Sequence, residues 1–185
     1  MKSLLPLLFI FISLSAFTPA GEEEMIAWKA GAALTWNQFR GTVEKDNPHH
    51  AQSHCILDAL VKNIDNSIFI EVNAYFLPGQ SWTRVRDDEA LLNHEQLHFD
   101  ITELHARMLR KRLIVAFRQN RDLALIFDQN FDEVNAALQK MQERYDRETH
   151  HGTRGRMQRL WEEQITASLR EYSDFAEPAI RFILQ

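Results

Sequence analysis

The sequence predicts an α+β fold: a small antiparallel sheet packed on one long helix, followed by a mainly helical C-terminal half. Three observations carry this expectation. Residues 54–76 alternate apolar and polar side chains in two consecutive runs, the period of half-buried strands. From residue 87 onward the apolar residues recur every three or four positions, the period of helices. Between the two regions lies His94-Glu95-Gln96-Leu97-His98, a His-Glu-x-x-His pattern that makes chemical sense only on a helix.

The chain has 185 residues, enough for one domain with a substantial core. Hydrophobic residues make up 45% and charged residues 25%, so nothing excludes an ordinary globular protein. The first twenty residues differ from the rest. Lys2 precedes an apolar run from Leu4 to Phe17, and Thr18-Pro19-Ala20 ends in a small residue, the pattern of a secretory signal cleaved near Ala20. The run is short for a membrane span, and no membrane span is expected after cleavage. Residues 21–185 then form a single domain, periplasmic or secreted. Removing Lys2 leaves 20 basic residues against 26 acidic ones, a net charge of −6 that gives no reason to expect nucleic-acid binding. The single cysteine, Cys55, has no partner for an internal disulfide and reads as a small, buried apolar residue.

In order along the mature chain, Trp28, Leu34, Trp36 and Phe39 predict a short strand and turn pinned to the core. Asp46-Asn47-Pro48 is a turn signal leading to a second histidine group, His49, His50 and His54. Pro48 and the β-prone residues that follow argue against a helix there, and hence against a helical metal pair. Cys55, Leu57, Ala59 and Val61 mark the inner face of a first strand. Ile68, Ile70, Val72 and Ala74 mark that of a second, with a turn near Asn63–Ser67 making a hairpin. Leu77-Pro78-Gly79-Gln80 ends the sheet.

A long helix is expected over about residues 87–117. Asp87, Asp88 and Glu89 suit its positive N-terminus, and Arg107, Arg110, Lys111 and Arg112 its negative C-terminus. Ala90, Leu97, Ile101, Leu104 and Met108 form an inward stripe that includes His94. Leu123 to Phe127 reads as a short helix or packed loop. Phe131, Val134, Leu138, Met141 and Tyr145 predict a second long helix ending near Gly152. Met157, Leu160, Trp161, Gln164, Ile165 and Leu169 predict a third, and Ile180 to Leu184 is expected to tuck back onto the core.

His94 and His98 stand one helical turn apart and project from one face, so both imidazoles can bind one zinc ion while Glu95 acts on a water. A catalytic zinc usually has three protein ligands. His105 is two turns beyond His98 and Glu103 lies well around the helix, so neither can share the ion. The remaining candidates cluster in Tyr145-Asp146-Arg147-Glu148-Thr149-His150-His151-Gly152. Tyr145 is on an inward stripe, and a chain reversal at Gly152 could carry His150 or His151 to the metal. Spacing does not choose between these two.

The segment Leu91–Arg107, Leu-Leu-x-His-Glu-Gln-x-His-Phe-Asp-Ile-x-Glu-x-x-Ala-Arg, resembles an exported bacterial family of secreted zinc-dependent proteases. Leu34-Thr35-Trp36-Asn37-x-Phe39-x-Gly41, Ser81-Trp82, and Tyr145-Asp146-x-x-Thr149-x-His151-Gly152 with Gln158 and Trp161 extend the resemblance in the same order. It implies a zincin-like fold and makes His151 the third zinc ligand beside His94 and His98. On this reading the chain is a zinc metallopeptidase acting on a peptide or protein substrate. Glu95 is the general base, and Tyr145 or His150 stabilises the oxyanion. An edge strand, Ile68–Phe76, would then hold an extended substrate. A zinc-dependent envelope amidase and a non-catalytic exported binding protein are the alternatives.

Overall fold

A computed structural model describes residues 24–43, 45–119 and 123–183, without side chains for residues 123–126. The expected signal at residues 1–20 lies outside the described residues, so the structure does not bear on it. Among the described residues, no helix is long and apolar enough to cross a membrane.

The chain runs β1 (Ile26–Ala27), a 3₁₀ turn at Trp36–Gln38, β2 (Ala51–Gln52), β3 (Cys55–Ile64), β4 (Ser67–Phe76) and β5 (Trp82–Thr83). Then follow α1 (Glu89–Arg118), α2 (Leu123–Thr149), α3 (Gly155–Glu171), a 3₁₀ turn at Ser173–Phe175 and β6 (Ala179–Ile183). The molecule is α+β, with a small antiparallel sheet and a mostly helical C-terminal half, as the two periodicities predict.

β3 and β4 form the expected hairpin, paired from Cys55↔Phe76 to Ile64↔Ser67, so the turn is the two residues Asp65-Asn66. Asp65 takes a left-handed conformation (φ 53°), which short polar residues tolerate in such turns. The other edge of β4 is shared by β1 at its Phe76 end and β6 at its Ser67 end. This corrects one expectation. Ile68–Phe76 is the central strand of the sheet and offers no edge to a substrate; among the described residues β3 forms one edge and the shorter β1 and β6 the other.

Ile70, Val72, Ala74 and Phe76 are fully buried against α1, which lies between the sheet and the pair α2–α3. That position explains why α1 is buried on nearly every side at its middle, including Phe99, Thr102, Glu103, His105 and Ala106, far more than one stripe predicts. Asp88 caps α1 by accepting from Leu91 N–H at 2.9 Å, a contact usually worth about 1 kcal/mol. The arginines expected to complement the helix dipole do something different. Arg110 is buried and donates to Glu103, to the Val72 carbonyl of β4 and to the Phe175 carbonyl, while Arg107 donates to Glu103 at 2.8 Å. This knot ties helix, sheet and C-terminal turn together.

Smaller differences have packing reasons. Leu123–Phe127 is the first part of α2, not a separate element. Val61 is 46% exposed because the distal half of the hairpin projects beyond α1, and Leu160 is also exposed. β6 returns to the sheet with Phe182 buried, fulfilling the C-terminal expectation up to Ile183.

Candidate metal centre

α1 carries His94 and His98 on the side facing α2, where their rings meet edge-to-face with centroids 4.8 Å apart. The Nε2 atoms of the two rings approach to 3.3 Å, and each lies 3.1 Å from the Asp146 Oδ1 atom on the last turns of α2. A tetrahedral zinc site with arms of about 2.0–2.1 Å has edges of roughly 3.3–3.4 Å, so these three atoms are spaced as ligands of one ion.

The second nitrogens show how the rings are aimed. His98 Nδ1 lies 2.6 Å from Gln142 Oε1, whose amide nitrogen donates to the His98 carbonyl at 2.9 Å. His94 Nδ1 lies 3.3 Å from Gln158 Oε1, whose amide nitrogen donates to Glu162 at 3.0 Å. With each amide oxygen facing a ring, Nδ1–H must be the donor, which leaves both Nε2 lone pairs directed at the point Asp146 faces. Outer hydrogen bonds of this kind orient metal-binding histidines. Three acceptors converging on one point repel unless a cation or proton stands among them. The donor set therefore fits zinc.

The charges agree with this geometry. Where protons rather than an ion stand among the three atoms, burial opposes ionisation of Asp146, yet hydrogen bonds from Nε2–H of His94 and His98 hold its carboxyl well below the usual carboxylate range. Burial alone would lower His98; the Asp146 carboxylate more than offsets it and moves the imidazole above its ordinary value.

Glu95 is buried beside the pair, with its Oε2 accepting the Ser53 backbone N–H at 2.8 Å. Ser53 belongs to the link between β2 and β3, beside His54 of the second histidine group, whose other members, His49 and His50, directly precede β2. That segment is extended, as expected, and forms one wall of a cavity of about 1250 Å³ with His94, Glu95, His98 and Asp146 also in its lining. Phe131, Asn135 and Gln139 of α2 also line it.

Tyr145 is fully buried behind the histidines. Its ring stacks on His94 at 4.6 Å and meets His98 edge-on at 4.9 Å. Its hydroxyl donates to Gln158 Oε1 at 2.7 Å, and burial pushes the phenol far above its ordinary value. His150 and His151 follow α2 in left-handed conformations (both φ 52°) and Gly152 does the same (φ 80°). The turn brings His151 back over the site, with Nδ1 3.4 Å from Asp146 Oδ1 and its ring 4.2 Å from that of His49. His151 nevertheless stays outside the converging trio and is 48% exposed. His150 also lines the cavity.

The structure thus brings His94, His98, Glu95 and the Tyr145–Gly152 cluster together as expected, with Asp146 as the third donor atom within reach. Asp146 lies inside the cluster expected to supply the third ligand, where the sequence reading favours His150 and His151 over it, and Ser53 as the anchor of Glu95 is not anticipated. The signal for Asp146 was its spacing of four from Gln142, a polar pair along the margin of the buried α2 stripe. Ser53 contributes only a backbone N–H, for which no side-chain pattern exists.

Residues 76–152 match a family described as bacterial proteins of unknown function (DUF922), a stretch from the end of β4 through α1 and α2 to Gly152. No curated protein and no solved structure matches the chain.

Proposed function

We propose that the chain is an exported, zinc-dependent metallopeptidase of zincin-like architecture, with His94, His98 and Asp146 holding the ion. The observation that carries this reading is the convergence of two Nε2 atoms and one carboxylate oxygen beside Glu95 in an open cavity. When bound, zinc supplies Lewis-acid polarisation of a carbonyl and acidification of water. Glu95 accepts the proton of the attacking water and passes it to the leaving amine nitrogen, while the Ser53 N–H keeps its carboxylate aimed. A site with a purely structural ion has no use for that buried base. Tyr145 acts as a positioning residue, because its ring holds both imidazoles and its hydroxyl is engaged by Gln158. His150 and His151 line the same cavity and are the proposed partners of a developing oxyanion. Export rests on Lys2 and the apolar run Leu4–Phe17.

The test is hydrolysis of an unfolded protein substrate by the zinc-loaded protein and by Glu95→Gln. Turnover that vanishes in Glu95→Gln with zinc retained supports the reading. Undiminished turnover in that variant, or none in the zinc-loaded wild type, overturns it.

A further inference from the structure

The distal half of the hairpin is unlike the rest of the surface. Leu60, Val61 and Ile64 are 44%, 46% and 49% exposed on β3, a ten-residue strand with no strand pairing its outer edge among the described residues. Long edges that expose apolar side chains are uncommon in proteins that remain single, because their free N–H and C=O groups recruit another strand; the two charges that would guard this edge, Asp58 and Lys62, are of opposite sign.

The sequence of this edge is self-complementary. Ile64 and Ser67 close a two-residue turn, so the even-numbered residues of β3 direct their backbone groups to β4 and the odd-numbered ones direct theirs outward. Antiparallel pairing with an identical strand must therefore match odd residues with odd and even with even. With a two-fold axis at Leu60, Ala59 and Val61 of opposite copies exchange hydrogen bonds, as do Leu57 and Asn63. Leu60 meets its own copy, Ile56 meets Ile64, and Asp58 meets Lys62 on both sides of the axis. Moving the axis to Ala59 or Val61 sets Asp58 opposite Leu60 or Ile64, and Lys62 opposite Ile56 or Leu60. Only the Leu60 axis matches the charges and the apolar residues together.

We propose that the occupant of this edge is a second copy of the chain, joined antiparallel through β3 with Leu60 on the two-fold axis. Such a self-matched patch is what a two-fold homodimer requires. Ile56 and Leu57 also line the metal-site cavity, so pairing sets Ile64 and Asn63 of the second copy beside two of its lining residues. The dimer does not depend on the proposed zinc chemistry.

The test is sedimentation velocity on the protein purified as the cell produces it, over a range of concentrations, with charge variants. Asp58→Lys alone and Lys62→Asp alone each place like charges opposite one another and should weaken the dimer roughly tenfold or more. The double variant D58K/K62D restores complementarity and should restore the dimer, as should mixing the two single variants. A wild type that stays monomeric at high concentration overturns the proposal, and so does a dimer indifferent to the single changes or not rescued by the double one. An edge that captures an extended peptide while the protein stays monomeric also overturns it.

Discussion

Replacing Gly152 with alanine probes how the turn after α2 holds the site. Gly152 has φ +80°, and a Cβ built there would lie 3.0 Å from both Cβ and Cγ of His94 and 3.4 Å from its Nδ1. Two costs combine. The left-handed backbone costs an L-residue about 1–2 kcal/mol. The contact with His94 forces the imidazole or the turn to move by a few tenths of an ångström, and overpacking of this kind costs roughly 1–3 kcal/mol. Gly31 separates the two, since it has φ +77° and nothing within 4 Å of an added Cβ. Gly31→Ala should therefore lose only the backbone share, about 1–2 kcal/mol, and Gly152→Ala about 2–5 kcal/mol. For a chain of this size each kcal/mol corresponds to roughly 2–4 °C in Tm. Urea unfolding of both variants measures the difference, and zinc titration should show weaker binding for Gly152→Ala alone, because its clash falls on the His94 ring, a ligand in the proposed site. Equal losses for the two variants, with unchanged zinc affinity, would refute the role given to Gly152.

Three further outcomes follow from the same geometry. Arg110→Ala should cost about 3–5 kcal/mol in denaturant unfolding, because it strips a buried partner from Glu103 and from the Val72 carbonyl; a loss below about 1 kcal/mol would contradict the knot. Tyr145→Phe keeps the ring contacts but removes the donor to Gln158 and should weaken zinc binding less than Tyr145→Ala, a ranking that calorimetry reads directly. Burial, reinforced by Glu95, raises the Cys55 thiol, and burial raises the Tyr145 phenol. Both groups hold their protons more tightly when folded. Their contribution is fully present below the ordinary thiol and phenol values and declines as the pH rises above them. Stability should therefore fall in alkaline solution, and thiol reagents should label the half-buried Cys55 more slowly at neutral pH in the folded protein than in the unfolded one; equal or faster labelling of the folded protein would contradict the raised thiol.

The elements were legible where local pattern decides structure. The alternation at residues 54–76 and the stripes through Val134, Leu138 and Tyr145, and through Trp161 and Ile165, are written in residue spacing and survive in the fold. What escaped depends on which elements become neighbours. β4 reads like any half-buried strand, and only the return of β6 and the pairing of β1 make it central. Arg110 looks like an exposed helix-end cation until the sheet and the C-terminal turn close over it. Val61 fits an inner face whose far end α1 never covers. At the site, His94, Glu95 and His98 follow from helical spacing alone, whereas a third donor from another helix depends on how α2 packs, and that placed Asp146 nearer than His151.

The central claim is that two histidines and an aspartate hold one metal ion. Zinc content and affinity of wild type, Asp146→Ala and His151→Ala test it most directly. The geometry predicts one zinc in wild type, severe loss in Asp146→Ala and retention in His151→Ala, whose ring touches Asp146 without joining the trio. Zinc kept by Asp146→Ala and lost by His151→Ala would contradict the assignment and make the site a three-histidine centre.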